Sequence, residues 1–194
     1  MAKRVDLRTE LSVGRHALSV GRVPQVAQWI AGVPRRVPGL IELMWDDDPG
    51  VSNRAADVLE RISRRPSPAL KRAVAEHKEA LLGLLAEAVE KKLRWNLAFS
   101  VPRISLTVPE CRRAAAALHA YLDDQSSIVK TAALHGLVDL ARQNPESMPA
   151  VIDLLRVAGR SGTPAMRARS RILLKRIENP TRRQREESSL HMFP

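Results

Sequence analysis

Four stretches of this chain repeat one short pattern, and that repetition restricts what the chain can fold into. VSNRAADVL begins at Val51, LRWNLAFSV at Leu93, VKTAALHGL at Val129 and MRARSRILL at Met166. Each opens on an aliphatic residue, usually followed by a base, then small residues a turn later and an aliphatic pair. Their first residues are 42, 36 and 37 positions apart. Offsets 0, +4 and +8 are mostly apolar or small, as in Val51, Ala55 and Leu59, or Leu93, Leu97 and Val101, or Val129, Ala133 and Leu137. That is the same-face spacing of an α-helix. A fixed period of this length marks a supersecondary unit whose apolar face is covered only by its neighbours.

A second amphipathic stretch and a short polar turn precede each motif. The stretches cover 38–45, 77–88, 109–122 and 145–159. The turns are rich in Asp, Pro, Gly, Ser and Thr, and Thr163-Pro164 reads as an N-cap followed by a proline in the first helical position. The unit is a helical hairpin of about 37 residues, used four times. Residues 23–32 add a short capping helix. Two prolines interrupt the pattern at 63–69, which predicts a bent connector or local insertion. Pro102 is expected to end or kink its helix, because proline has no N–H to donate.

These hairpins resemble HEAT repeats, a branch of the armadillo-like α-solenoids, whose second helix typically opens Val-Arg/Lys-x-x-Ala after an acidic turn. VKTAALHGL is the best match, LRWNLAFSV and MRARSRILL follow, and the first motif departs with Ser52 at the basic position. The resemblance covers 37–178. It implies an all-α chain: a short right-handed solenoid of about four hairpins whose second helices line a concave face, working as a noncatalytic protein-binding scaffold. The organisation expected is an N-terminal segment with its capping helix over 1–36, the repeats over 37–178 and a flexible tail over 179–194.

Composition narrows the function classes. Hydrophobic residues make up 44% and charged residues 27%, which suits a packed globular chain and not a disordered one. Apolar runs are far too short for a membrane span, and the first residues lack the apolar core of a secretory leader. The lone Cys111 allows no internal disulfide, so the cytoplasm is the expected compartment. The net charge of +11 calls for an acidic protein partner or, as the second candidate, nucleic acid. The excess sits at the ends: +5 in residues 1–36 and +4 in 145–178, with +1 in 37–144. Sequence-independent nucleic-acid binding through these basic ends is therefore the alternative function.

Catalytic motifs are scarce. GxGxxG, GxxxxGK[ST] and HExxH are all absent, so no cofactor or metal is expected. His77-x-Glu79 matches half of a deaminase signature whose CxxC half one cysteine cannot supply. Cys111 lies early in a helix, a position that lowers a thiol pKa, but no base partner is apparent. HEAT-like alkylpurine DNA glycosylases carry an aromatic and a carboxylate in their channel. Here Trp95 has Phe99, not an acid, one turn on, and no carboxylate is expected near it.

The residues left as partner-binding candidates are Arg94, Trp95, Lys130, Arg167, Arg171 and Lys175. Arg94, Lys130 and Arg167 occupy the basic position of the motif, where they either pair with acids of neighbouring turns, such as Asp48, Glu90 and Asp124, or reach a partner. Trp95 is either a packing aromatic or an interface anchor. Arg167, Arg171 and Lys175 recur every four residues as one basic stripe, with Arg169 and Arg176 on a second line. That stripe is either the polar outer face of a terminal repeat or an anion site. Ile172, Leu173 and Ile177 are expected to be buried on the opposite side.

Overall fold

Capping residues and prolines set most of the helix starts. Asp48, Ser67 and Thr163 each precede a proline, and their side-chain oxygens accept from the backbone N–H of Gly50 (2.7 Å), Leu70 (3.2 Å) and Met166 (3.3 Å). Thr107 and Glu110 form a reciprocal capping box. A computed structural model describes residues 6–179, and among them every regular element is helical. In chain order these are α1 (Leu7–Ser12), α2 (Val23–Gly32), α3 (Val37–Glu42), α4 (Pro49–Ser63), α5 (Pro68–Ala75), α6 (Lys78–Glu87), α7 (Lys91–Ser100), α8 (Val108–Ala120), α9 (Ser127–Gln143), α10 (Met148–Ser161) and α11 (Pro164–Glu178).

The four motifs lie on α4, α7, α9 and α11. Each of these motif helices packs on the next, and α2 packs on α4. The helices α3, α6, α8 and α10 each pack on the motif helix that follows them. Offsets 0, +4 and +8 of the first three motifs are all buried; in the fourth, Ser170 is buried while Met166 and Leu174 are half-buried. The core runs as one cluster from Leu11 to Leu173. The expected capping helix at 23–32 is α2, and α7 stops at Ser100 before a 3-10 turn containing Pro102.

Several elements depart from the sequence reading. The segment after Ser63 holds a whole extra helix, α5, started by the Ser67–Pro68 cap and packed on α3. A short α1 precedes the capping helix, begun by Asp6, whose carboxylate accepts from Arg8 and Thr9. Ile172 is 46% exposed, not buried, because Leu173 takes the inward position instead. The tail expected beyond Asn179 lies outside the described residues.

Two buried cations hold the N-terminal loop. Arg54, 2% exposed, donates to the carbonyls of Leu11, His16 (3.2 Å) and Ser12 (3.4 Å). Lys92 donates to the Leu18 carbonyl at 3.2 Å and pairs with Asp57 at 2.5 Å. Gly21, at φ 52°, makes the turn that brings this loop back, in a region that other residues rarely adopt. Ser52, at the position where the other motifs carry a base, donates to the Met44 carbonyl at 2.8 Å and so ties α4 to the preceding 3-10 turn.

Gly136 lets α9 come close to both α7 and α8. A Cβ there would stand 2.5 Å from the Ala98 carbonyl oxygen of α7 and 2.9 Å from Leu118 of α8. Gly83 in α6, by contrast, has open space around it. Gly136→Ala should therefore lower the melting temperature, whereas Gly83→Ala should raise stability by up to about 1 kcal/mol through helix propensity. Thermal melts of the two variants check this, and the same direction for both would contradict the packing. Leu137, 2% exposed, is the matching core test. Leu137→Ala should cost about 2–5 kcal/mol in urea unfolding and Lys130→Ala no more than about 1.

Candidate binding groove

The C-terminal ends of the motif helices enclose a groove of about 690 Å³. Its walls come from Arg64 and Lys71 on one side, Pro102 and Arg103 in the middle, then His135, Asp139 and Arg142 of α9, and Leu173 and Arg176 of α11. A second cleft of about 420 Å³, lined by Asp57, Glu60, Trp95, Asn96 and Phe99, joins it through the shared Arg64 and Arg103.

Three polar clusters floor the two parts. Glu60 of α4 takes the Arg64 guanidinium at 2.8 Å and Arg103 at 3.0 Å, and Arg103 also donates to the Glu60 carbonyl and the Ser63 hydroxyl. Asp57 accepts from Asn96 at 2.7 Å as well as from Lys92. Asp139 holds Arg142 at 2.6 Å and lies 3.4 Å from His135 Nε2. The Phe99 ring meets the His135 ring edge-on at 5.3 Å. These contacts tie α4 to α7 and set the groove face of α9.

Burial would raise the pKa of Glu60, but the Arg64 hydrogen bond and the Arg103 charge more than offset it, and the net shift is downward. Asp139 behaves alike: burial raises it, and His135, Arg142 and Arg103 together bring it below its ordinary value. Both carboxylates are fixed counter-ions. At Arg169, burial and then the like charge of Arg176 lower the guanidinium pKa.

The six residues chosen from sequence are dispersed. Arg94 pairs with Asp124, donates to the Ala88 carbonyl at 2.7 Å and stacks 5.1 Å from the Tyr121 ring, so it links the turn before α7 to the turn before α9. Arg167 donates to the Gly162 carbonyl at 2.7 Å, bracing the turn before α11. Lys130 is half-buried with no ion-pair partner among the described residues. Trp95 lines the smaller cleft and packs against the core. Arg171 and Lys175 are exposed. At about 100° per residue their stripe lies roughly opposite the line of Arg169 and Arg176, and it does not line the groove.

Two expectations are corrected here. Carboxylates do stand near Trp95, since Asp57 and Glu60 line the same cleft; they arrive from α4, three helices earlier in the chain. The Cys111 thiol is raised in pKa, not lowered, because burial and then the adjacent Glu110 carboxylate outweigh the helix start. The sequence reading missed Arg64, Arg103 and Arg142 and placed Arg176 only on a second basic line of α11. Each stands just beyond the nine-residue motif, at offset +10 or +13.

Among the described residues no helix is long and apolar enough to cross a membrane. Compared with known proteins, the chain matches no family model and no curated protein.

Acid should weaken the fold in a defined window. Glu110, bonded by Lys78 first and then by the Thr107 N–H, has its pKa lowered to about 2 from an ordinary 4.5, and Glu60 and Asp139 are shifted the same way. A depressed folded pKa stabilises above the unfolded value and loses that contribution as pH falls through the folded one. Urea midpoints should thus fall between about pH 4.5 and about pH 2. Arg103→Ala should cost on the order of 2 kcal/mol at neutral pH and flatten this acid limb, because Glu60 keeps one partner fewer. An acid limb as steep as in the parent chain would show that Arg103 does not hold Glu60.

Proposed function

We propose that this chain is a noncatalytic HEAT-type scaffold, a short right-handed solenoid of about four hairpins acting in the cytoplasm, that binds a protein partner along its motif-helix groove. The observation that carries this reading is the groove itself. Four motif helices packed in sequence bring their ends to one continuous depression, where Glu60 joins Arg64 to Arg103 and Asp139 holds His135 and Arg142. Glu60 is kept ionised by Arg64 and Arg103, and Asp139 by His135 and then Arg142, which makes them fixed charges and favours binding over acid–base chemistry.

Affinity capture from native lysate, with and without nuclease, tests it. A protein partner should survive nuclease treatment and be lost with Lys71→Ala/Arg176→Ala. Recovery of nucleic acid alone would overturn the scaffold reading.

The alternative, sequence-independent nucleic-acid binding by the basic ends, is supported by the exposed stripe of Arg171 and Lys175, which have no ion-pair partner among the described residues. In that case Arg167→Ala/Arg171→Ala/Lys175→Ala should lower the log–log salt slope of duplex binding by about 2–3, at about 0.9 per phosphate contact. Under the scaffold reading the slope stays nearly unchanged and binding vanishes near physiological ionic strength.

A further inference from the structure

The two clefts that meet at Arg64 and Arg103 differ in chemistry. Val20, Val23, Trp95 and Phe99 give the smaller one an apolar wall. Its carboxylates are already engaged: Asp57 with Lys92 and Asn96, and Glu60 with the two arginines at the boundary. In the larger cleft Lys71 and Arg176 are exposed and make no ion pair among the described residues. Asp139 is the one carboxylate among the residues lining that part, and it is taken by Arg142 and His135.

Each side has an interaction left to make. On the apolar side Trp95 is half-buried and Val20 about half exposed, as is Leu18, whose carbonyl takes the same Lys92 that pairs with Asp57. Covering such side chains removes apolar surface from water, and an aromatic wall favours a large anchor. On the basic side Arg176 has the like-charged Arg169 beside it, and no acid of this chain answers it or Lys71 among the described residues. The boundary between the two is rigid, because Glu60 grips Arg64 through Nε and Nη2 and Arg103 through Nη1. An occupant that satisfies both sides carries an apolar group and negative charge next to each other.

We propose that the joined clefts dock one segment of a protein partner in which an aromatic or large aliphatic side chain adjoins a short run of acids. The apolar side chain enters the smaller cleft against Trp95 and Val20, and the acids face Lys71 and Arg176 in the larger one. This rests on the scaffold reading above and names the chemistry of its partner. Both volumes, about 420 and 690 Å³, suit such contents, since ligand-holding clefts run from about 300 to 1,000 Å³. An anchor in a pocket with charges around it is also how binding energy concentrates at protein interfaces. Nucleic acid fits less well. A base stacked in the smaller cleft brings its own phosphates beside Asp57 and Glu60, whereas the peptide groups flanking a protein side chain are uncharged.

Fluorescence anisotropy with short labelled peptides tests the pairing of the two chemistries. Each is built of Gly and Ser and carries a phenylalanine next to a run of glutamates, before it or after it. In the tighter-binding order, replacing the phenylalanine by alanine should weaken binding about tenfold. Replacing the glutamates by glutamine should weaken it about fivefold at low salt, an advantage that fades as salt rises. Val20→Asn and Trp95→Ala should each remove most of the phenylalanine's advantage and leave that of the glutamates, and Lys71→Ala/Arg176→Ala should do the reverse. Val20, Lys71 and Arg176 are exposed, so their variants should melt like the parent chain; Trp95 also packs on the core, and any loss of stability there leaves the Val20→Asn result intact. Arg171→Ala/Lys175→Ala, on the other flank of α11, should leave binding unchanged. If both orders bind no better than the peptides lacking phenylalanine or glutamates, or if single-stranded oligo-dT binds more tightly than either, the proposal is overturned. If a nuclease-resistant protein is captured but the tighter peptide does not displace it, this proposal fails while the scaffold reading stands.

Discussion

At Gly136 the α9 helix comes within contact of the α7 backbone, because no Cβ separates it from the Ala98 carbonyl. The residues on either side of that point divide the labour. Leu137 goes into the core, and His135 turns its ring to Phe99. Three residues on, Asp139 reaches Arg142, and Gln143 then donates to the Pro102 carbonyl at 2.7 Å and accepts from the Leu106 N–H at 3.0 Å. The His135–Phe99 contact and the two Gln143 bonds depend on how closely α9 can approach α7. A wider spacing would part the Gln143 bonds and move the α9 wall of the groove away from Arg103. A contact without a side chain on the α9 side therefore governs one wall of the groove, as close packing of interiors leads one to expect.

The charge of the groove is a matter of where acids are placed, not how many there are. Residues 37–144 are nearly neutral in sequence, yet they supply Arg64, Lys71, Arg103 and Arg142 to a basic surface. Neutrality in a window averages over faces that the fold separates. Glu79 and Glu110 serve contacts on the helices away from the groove, to Arg113 and Lys78. Glu60 holds the Arg64 and Arg103 guanidinium groups, while Asp57 is turned to Lys92 and Asn96. A weakly charged stretch thus presents a strongly cationic strip.

Local periodicity made the motif helices legible. Offsets 0, +4 and +8 named nine buried positions in the first three motifs, and the cap at Thr163 placed the start of α11. The bases inside the motif pointed elsewhere: Arg94 and Arg167 brace the turns at the beginnings of their helices, whereas the groove forms at the ends. Its arginines alternate between two registers, which hides them from any search for a single repeated position. Helix α5 was missed because its apolar positions, Leu70 and Val74, are too few to show a period. The pairing of Trp95 with carboxylates from α4 is a tertiary fact with no trace in local sequence.

The loop before α2 is attached in a way that leaves its own side chains largely unconstrained. Arg54 and Lys92 grip it by four backbone carbonyls, those of Leu11, Ser12, His16 and Leu18. Every amino acid offers the same carbonyl, so the attachment reads the path of the chain and is blind to its spelling. Val13, Leu18 and Val20 meanwhile point outward, each about half exposed, and Val20 borders the smaller cleft. With Gly21 kept for its turn and Gly14 kept because a Cβ there would stand 2.6 Å from Arg54 Nη1, the rest of this loop can drift in sequence faster than the helices it rests on. Variation arising there would retune one edge of the cleft at little risk to the fold, which makes the loop a natural place to graft new specificity.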